Sequence, residues 1–390
     1  MNIRTNQISG EKVSLLGYGC MRMPKLYDDK QDIDYDKACQ LIDYAYAHGV
    51  NYYDTAYVYH SGKSEVFIGE ALKKYPRESF FLADKMPGWE VKTGVEDAKR
   101  IFAEQLTRCQ VDYFDYYLLH SLGDQGSYEK VYKEFGTLEY LDSEKAAGRI
   151  RNLGFSFHGS VEFFEYMMKQ RRWDFAQIQL NYLDWNEQNA KRLYELCEEY
   201  DVPVIIMEPV RGGSLVSLCD ESIEILKAAE PTKSTASWAI RFAATPKNVL
   251  TVLSGMSAMD QVIDNVATIT DFAPLNADDY ATLSTAITAY INKGTIACTG
   301  CRYCMDCPAG VDIPEVFAIY NKCAAEGNLP ISIKQNDPDL AKKQAAFKSA
   351  FAALPESAQP HNCVSCNKCT EHCPQSIKIP EMLKNISKYL

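Results

Sequence analysis

The chain has 390 residues, of which 46% are hydrophobic, and its 41 Lys and Arg against 52 Asp and Glu give a net charge of −11. The acidic balance argues against a nucleic-acid groove, and the absence of a basic run argues against an anionic membrane surface as partner. The sequence shows no apolar signal region and no apolar stretch of about eighteen residues, so it predicts a cytoplasmic protein that does not span a membrane.

Short apolar runs alternate with helical segments from residue 13 to about residue 270. The runs predict strands at 15–21, 50–56, 80–85, 113–120, 151–157, 175–181, 202–209 and 249–255. Apolar positions three and four apart predict helices at 34–49, 97–109, 128–147, 161–169, 187–200, 235–244 and 259–269. This α/β alternation predicts a (β/α)8 barrel. The competing fold is a doubly wound open sheet, which the lack of G-x-G-x-x-G after the first strand disfavours.

The composition changes after a helix predicted at 276–293, for which Asn276 or Asp278 is the candidate cap. The rest of the chain is rich in cysteine and punctuated by proline. Helices are predicted there at 314–326, 338–353 and 380–388. The sequence therefore predicts two domains, a barrel over 1–293 and a small, mainly helical domain over 294–390.

Eight of the 14 cysteines lie in two short runs that each end in Cys-Pro. The second run has the spacing C-x2-C-x2-C-x3-C-P, which is typical of a bacterial ferredoxin [4Fe–4S] cluster, whereas zinc sites usually use two separated pairs. The first run is one residue shorter before its last cysteine. If each fourth cysteine serves the other cluster, one set is Cys298, Cys301, Cys304 and Cys373, and the other is Cys363, Cys366, Cys369 and Cys307. A single cluster with structural cysteines is the alternative.

Polar residues follow three neighbouring predicted strands of the barrel. Asp54 and, five residues later, Tyr59 follow the second strand, Lys85 ends the third and His120 ends the fourth. Since barrel active sites lie at the carboxyl ends of the strands, we expect these four side chains to converge. Tyr57 is the rival to Tyr59, and we expect it to face differently.

The strings DTAYVYHSGKSEVFIGEAL, LADK, DYYLLH, LGFS, QIQLNY and SGMSAMDQVIDN resemble the aldo-keto reductase family over residues 13 to about 290. The cysteine-rich segment resembles the ferredoxin-type extension of one branch of that family. The resemblance implies an oxidoreductase that reduces a carbonyl, or oxidises an alcohol, with NADP or NAD. Tyr59 would be the general acid, Lys85 would lower its pKa, Asp54 would pair with Lys85, and His120 would orient the carbonyl oxygen.

The cofactor contacts that the resemblance implies match less well. It places the nicotinamide against Ser156 and Gln179, and Met207 stands where relatives carry a stacking aromatic. Gly255 and Gln261 stand where a basic residue and an arginine often hold the 2′-phosphate of NADP, which leaves the choice between NADP and NAD open. The full set of expected contacts is Gly19, Met21, Ser156, Gln179, Met207, Arg211, Gly213, Gly255, Gln261 and Asn265.

Nicotinamide carries two electrons as hydride, whereas a [4Fe–4S] cluster carries one, and this mismatch keeps three roles open for the clusters. They are structural, they exchange electrons with a bound FMN, or they serve a ferredoxin-like partner. The alternatives to a carbonyl reductase are accordingly a flavin-containing iron–sulfur oxidoreductase and a non-enzymatic redox sensor. The loops that would select a small-molecule carbonyl substrate, near 24–36, 87–91, 121–127 and 211–221, do not identify it.

Overall fold

The computed structural model describes residues 1–26, 32–305, 307–330 and 338–390. An antiparallel hairpin of β1 (Ile3–Thr5) and β2 (Lys12–Ser14), which the sequence analysis did not predict, begins the chain. Glu11 precedes β2, and its carboxylate accepts hydrogen bonds from the Tyr116 hydroxyl at 2.7 Å and the Asn152 amide at 3.0 Å. The hairpin is therefore fixed to the strands that follow.

Eight parallel strands of the described chain close into a barrel, in the order β10-β3-β4-β5-β6-β7-β8-β9. They are β3 (Leu16–Gly19), β4 (Tyr52–Asp54), β5 (Phe81–Met86), β6 (Phe114–Leu122), β7 (Ile150–Phe157), β8 (Ala176–Gln179), β9 (Val204–Met207) and β10 (Val249–Ser254). The predicted barrel is confirmed, and each predicted strand overlaps one of these. Because all pairs are parallel, every carboxyl end lies at the same rim.

The barrel strands are apolar on both faces because one side fills the interior and the other packs under helices. Interlocking aromatic rings occupy much of the interior. The Tyr116 ring meets Tyr52 and Phe175 edge-on, each with centroids 5.0 Å apart. Ala83, Leu118 and other buried side chains complete this core. The interior is thus a packed core that leaves polar chemistry to the rim.

The helices of the described chain mostly follow the predicted segments. Their bounds are α1 Tyr35–Ala47, α2 Lys63–Leu72, α3 Val95–Cys109, α4 Gln125–Tyr128, α5 Thr137–Ala146, α6 Val161–Gln170, α7 Asp184–Glu187, α8 Ala190–Glu199, α9 Asp220–Ala229, α10 Thr235–Ala244, α11 Met259–Thr270, α12 Ala277–Ile291, α13 Ile313–Ala325, α14 Leu340–Phe351, α15 Lys368–Glu371 and α16 Ile379–Ser387. Helices α2, α9 and the short α15 were not predicted from the sequence. Among these helices, none is long and apolar enough to cross a bilayer.

One predicted helix, over 128–147, is interrupted in the structure. A π-helical segment, Glu129–Glu134, follows α4, and α5 begins only at Thr137. Gly136 separates the two with a φ of 74°, a left-handed conformation that glycine adopts readily and that ends a helix. The apolar periodicity of the segment continues through this glycine, which is why it predicted a single helix.

The chain divides into two compact units, one comprising residues 1–209 and 236–275 and the other residues 210–235 and 276–390. The first unit holds the barrel. The second begins with a loop and α9, and α12 packs against α9. Asn276 caps α12 through a capping box with Asp279, as the sequence predicts for that end of the helix.

The cysteine-rich part of the second unit forms its own small core. Val311, Phe317, Phe347 and Ile386 are buried in it, and several of the run cysteines pack against it. Asp312 caps α13, and both α13 and α16 begin with Ile-Pro. Each of these helices starts six residues after the last cysteine of a run. The two runs therefore have equivalent local surroundings.

The contact between α2 and α3 leads to a stability prediction. A Cβ atom on Gly69 would lie 2.6 Å from the backbone oxygen of Cys109 and 2.8 Å from that of Arg108. We expect Gly69→Ala to lower the free energy of unfolding by about 1–3 kcal/mol, because rigid backbone must move to admit the methyl group. The measurement is urea unfolding of the full chain.

Gly123→Ala is the matched control, because a Cβ atom there meets nothing within 4 Å and the backbone is not left-handed. It should unfold at the wild-type urea concentration. Equal stability of the Gly69→Ala variant and the wild type would contradict the close packing of α2 on α3.

Candidate active site and cysteine centres

A buried ion pair lies at the carboxyl rim of the barrel. The Lys85 ammonium donates to Asp54 Oδ1 at 2.6 Å and to the Thr55 carbonyl at 2.5 Å, and the Lys85 side chain has no exposed surface. Burial raises the pKa of Asp54, and the Lys85 charge opposes that rise. An unpaired ammonium here would be costly, so the carboxylate and the carbonyl hold Lys85 in a single position.

Tyr59 lies next to this pair, in a tight turn after β4. The backbone continues through His60 and Ser61 with φ values of 51° and 55°, a strained path that sets the direction of the turn. The Lys85 Nζ atom lies 4.9 Å from the centre of the Tyr59 ring. The His120 ring meets the same tyrosine edge-on, with centroids 6.1 Å apart. The structure thus brings all four predicted residues together.

The expectation that Lys85 lowers the pKa of Tyr59 is wrong for the site as the structure has it. Burial raises the pKa of Tyr59 well above its usual 10, the Asp54 carboxylate adds to the rise, and the Arg22 guanidinium opposes it. The physical reason is that burial dominates the shift, while the Lys85 ammonium is paired with Asp54. Tyr59 therefore keeps its proton at neutral pH.

His120 is a neutral imidazole in this structure. Burial lowers its pKa well below 6.5, and the nearby Lys85 ammonium lowers it further. Trp89, which is 44% exposed, stacks obliquely against it with centroids 5.0 Å apart. A neutral imidazole can donate one hydrogen bond to a carbonyl oxygen without competing for the Tyr59 proton.

Tyr57 is directed elsewhere, as the sequence analysis expects. Its hydroxyl donates to Glu104 on α3 at 2.8 Å, and the Arg108 guanidinium lies 4.5 Å from its ring centre. Tyr57 therefore serves the contact between its loop and α3.

Several predicted cofactor contacts in the barrel unit are held by neighbouring groups. The Ser156 hydroxyl accepts from the Ser121 backbone at 2.7 Å. The Gln179 amide donates to Asp184 at 2.7 Å, and the Asn265 amide donates to Ser254 at 2.7 Å. These bonds fix the rotamers of three polar side chains at the ends of β7, β8 and β10.

The remaining predicted cofactor contacts of the barrel unit have varied surroundings. Gln261 lies on the surface and accepts from the Ser257 backbone at 2.8 Å. A Cβ atom on Gly255 would lie 3.4 Å from the Arg22 side chain, and one on Gly19 would lie 3.5 Å from the Ser254 carbonyl. Met207 accepts a weak hydrogen bond from Gln177. Met21, which follows β3, is half-buried.

Two features of this rim were not predicted from the sequence. Asp184 is fully buried and accepts from both Gln179 and Asn181, so it fixes two amides at once. Arg22 and Glu208, beyond the ends of β3 and β9, form an ion pair at 3.1 Å. The signals were a carboxylate in the run NYLDWN and charges directly after two apolar strands.

Arg211 and Gly213 belong to the second unit. They flank Gly212 in a turn with three successive positive φ values of 49°, 64° and 99°. A Cβ atom on Gly212 would lie 1.9 Å from the Thr299 carbonyl, so only glycine fits against the first cysteine run. Arg211 is only 5% exposed.

The eight run cysteines lie around two cavities in the second unit. Cys298, Cys301, Cys304 and Cys373 line one of them. Cys307, Cys363, Cys366 and Cys369 line the other. In the described part of the chain, no group of three or more His, Cys, Asp or Glu converges on a single ion position.

The surroundings of these sulfurs fit iron–sulfur ligation. Burial raises the pKa of Cys304, and the next contributions come from Cys301, Cys298 and Cys373. Burial also raises the pKa of Cys369, whose thiol neighbours are Cys363 and Cys307. Four thiols around an apolar cavity are the ligand set that a [4Fe–4S] cluster takes, and metal binding would remove their protons.

Comparison with protein families identifies two regions of the chain. The model described as "Aldo/keto reductase family" matches residues 15–288. This chain belongs to the aldo/keto reductase family. A second model, "4Fe-4S dicluster domain", matches residues 297–377, so the family member carries a C-terminal iron–sulfur domain.

Individual relatives in the family are 25–27% identical to this chain. A probable aldo-keto reductase from Glycine max is 26% identical over 211 residues, which span 52% of this chain and 58% of that protein. The NADH-specific methylglyoxal reductase of Escherichia coli is 25% identical over 280 residues, 61% of this chain and 84% of that protein. An aldo-keto reductase structure from Bacillus halodurans in its holo form has a TM-score of 0.60 and 27% identity, covering 73% of this chain and 96% of that one. This chain therefore spans less than two thirds of the soybean relative.

His158, which directly follows β7, leads to a prediction about the pH dependence of stability. Burial lowers the pKa of His158 from 6.5 to about 4. Between these values the unfolded chain binds a proton that the folded chain does not bind, so this histidine makes stability fall as pH drops from 6.5 toward 4. We expect His158→Asn to weaken the pH dependence of the urea midpoint between pH 7 and pH 5.

The exposed His48 provides the control, and His48→Asn should keep the wild-type pH dependence. Comparing variants isolates the histidine, because the buried carboxyl groups contribute equally to all three proteins. An unchanged pH dependence in the His158→Asn variant would contradict a lowered pKa for the half-buried imidazole at this position.

Proposed function

We propose that this protein reduces a small-molecule carbonyl compound with a nicotinamide dinucleotide bound at the barrel rim, and that its C-terminal domain holds two [4Fe–4S] clusters. The observation that carries the proposal is the convergence of Tyr59, Lys85, Asp54 and His120. A phenol, a paired ammonium and a neutral imidazole within a few ångströms are the groups that carbonyl reduction requires.

The bound nicotinamide would supply hydride to the carbonyl carbon. Tyr59 supplies the proton, because its buried phenol is protonated at neutral pH. As the proton leaves, negative charge appears on the Tyr59 oxygen, and the Lys85 ammonium stabilises it more than it stabilised the neutral phenol. Asp54 keeps Lys85 charged in this dry site, and the His120 imidazole orients the carbonyl oxygen.

We propose NADH as the preferred dinucleotide. Gly255 and Gln261 leave the positions that often hold the 2′-phosphate of NADP without a cation. Ser156, Gln179 and Asn265 supply polar contacts on the barrel side. One family member at 25% identity is named as NADH-specific. The expectation from the resemblance that Arg211 and Gly213 also contact the dinucleotide stays a prediction.

We further propose that the chain is divided in function near residue 294. The barrel over 1–293 performs the reaction, and the domain over 294–390 binds the clusters, one on each set of four cysteines. Six of these eight cysteines, all but Cys301 and Cys366, pack against the small apolar core of the second unit, which supports a structural role for the clusters. Exchange of electrons with a ferredoxin-like partner or with FMN is the alternative role.

The first test concerns Tyr59. We expect Tyr59→Phe to lower kcat for aldehyde reduction about 10²- to 10⁴-fold, because no other group can deliver the proton from that position. The measurement is the decrease of NADH absorbance with a panel of aldehydes and ketones. Dinucleotide binding, followed by quenching of protein fluorescence, should stay at the wild-type level.

Tyr57→Phe removes the same atom from a neighbouring residue and should keep kcat, because that hydroxyl is bonded to Glu104. Loss of activity in both variants, or in neither, would exclude Tyr59 as the acid. A flavin extracted from protein purified without oxygen would favour the flavin-containing alternative instead.

The second test concerns which cysteines share a cluster. If the sets cross between the runs, Cys307→Ala with Cys366→Ala damages one cluster only, and about half of the iron and sulfide should remain. If each run holds its own cluster, the same double variant damages both. Iron and sulfide assays, with electron paramagnetic resonance of the reduced protein, separate the two outcomes.

The double variant Cys307→Ala with Cys373→Ala is the control. It removes one ligand from each cluster under either arrangement, so it should lose more iron than the first pair under crossed sets. If the two double variants lose the same amount of iron, the crossed arrangement is wrong.

A further inference from the structure

Two carboxyl groups that the proposed mechanism does not use lie directly behind the rim lysine. Asp84 precedes Lys85 on β5, and since side chains alternate along a strand, it points out of the barrel toward α2 and α3. Glu65 on α2 meets it there, and the two carboxyls are hydrogen bonded to each other. Neither side chain has exposed surface.

The backbone of Lys85 is held on both sides by this buried group. Its N–H donates to Asp84 Oδ1 at 2.8 Å. Its carbonyl accepts from the Gln105 amide at 2.9 Å, and the same amide nitrogen donates to Glu65 Oε1 at 3.2 Å. The peptide groups on both sides of the Lys85 Cα therefore depend on one connected set of side chains.

The charges near the pair allow only one of the two carboxyls to be ionised. The Arg108 guanidinium lies 2.9 Å from Glu65 Oε2 and supplies a single positive charge. Lys85 is engaged by Asp54 and Thr55 inside the barrel. The Cys109 thiol lies 3.7 Å from Asp84 Oδ2 and supplies no positive charge to that carboxyl. Two carboxylates in contact within this dry space would repel strongly.

We propose that Glu65 and Asp84 form a positioning pair, in which a protonated Asp84 donates to an ionised Glu65 and the pair holds the backbone of Lys85. The Lys85 ammonium is thereby placed where it meets Asp54 and the Tyr59 ring. This inference rests on the proposed function for its kinetic consequence, but the placement of Lys85 is a structural statement that can be tested alone.

A positioning role for Asp84 can be distinguished from ordinary core packing by the effects of two substitutions. Asp84→Asn keeps an oxygen to accept from the Lys85 N–H and an amide to donate to Glu65, so it reproduces the protonated acid. Asp84→Ala removes both bonds. A displacement of about 1 Å at a reacting group can cost on the order of 10²-fold in rate. Loss of the pair should therefore lower kcat, while dinucleotide KM changes little.

The experiment compares these two variants in the full-length holoprotein. We expect Asp84→Ala to lower kcat for aldehyde reduction about 10- to 100-fold and Asp84→Asn to restore it to within about threefold of wild type. In crystal structures, Lys85 Nζ should leave Asp54 Oδ1 in the alanine variant and keep its contact in the asparagine variant.

Asp115→Ala is the matched control, since Asp115 is an equally buried carboxylate on β6 that bonds to Arg77 and to the Leu82 backbone. It should lower the urea midpoint and leave kcat unchanged. Should Asp84→Ala fail to fold, Gln105→Met removes the other hold on Lys85, and it should lower kcat in the same way.

The proposal is overturned if Asp84→Asn is impaired as much as Asp84→Ala, or if Lys85 stays on Asp54 in both the alanine and the Gln105→Met variants. If the wild type reduces no carbonyl compound, the proposed function fails. The crystal structures would still report whether the pair places Lys85.

Discussion

The chemistry of the barrel rim depends on one buried ion pair, Lys85 with Asp54. An ammonium with no exposed surface is tolerated only where a carboxylate and a backbone carbonyl compensate for the lost water. Burial dominates the pKa shift of Tyr59 beside this pair and keeps the phenol protonated. In the reaction that we propose, the lysine charge would act mainly when negative charge appears on the Tyr59 oxygen.

This constraint extends outward through the barrel wall. The alternation of side chains along β5 places Lys85 inside and Asp84 outside, so the strand connects the rim to the helices behind it. Glu65 and Gln105 from α2 and α3 meet Asp84 and the Lys85 backbone there. In our proposal, the position of the Lys85 ammonium therefore depends on residues of β5, α2 and α3. The close approach of α2 to the end of α3 at Gly69 brings Glu65 and Gln105 to this place.

The second unit is organised around its cysteines. Its apolar core is small, and the cysteines lie at the edge of that core around two cavities. Helices α13 and α16 begin at equivalent distances from the two runs, and this local similarity lets the fourth cysteine of each run reach the cavity of the other. Family membership accounts for the barrel.

The sequence by itself determined the elements whose signals are local. Apolar runs alternating with helical periodicity predicted the barrel strands, polar residues at strand ends indicated the tetrad, and cysteine spacing indicated the iron–sulfur domain. Helix α2 was missed because most of its residues, including Ser64 and Glu65, are buried, which blurs the amphipathic pattern. The break at Gly136 was missed because apolar spacing continues through it. Only the tertiary structure decided the direction of the Tyr59 pKa shift, the role of Asp184 and the contact of Glu65 with Asp84. Each of these depends on burial and on charges contributed by segments far apart in the chain. A short stretch of sequence does not show which distant segments will surround a residue, so it cannot predict them.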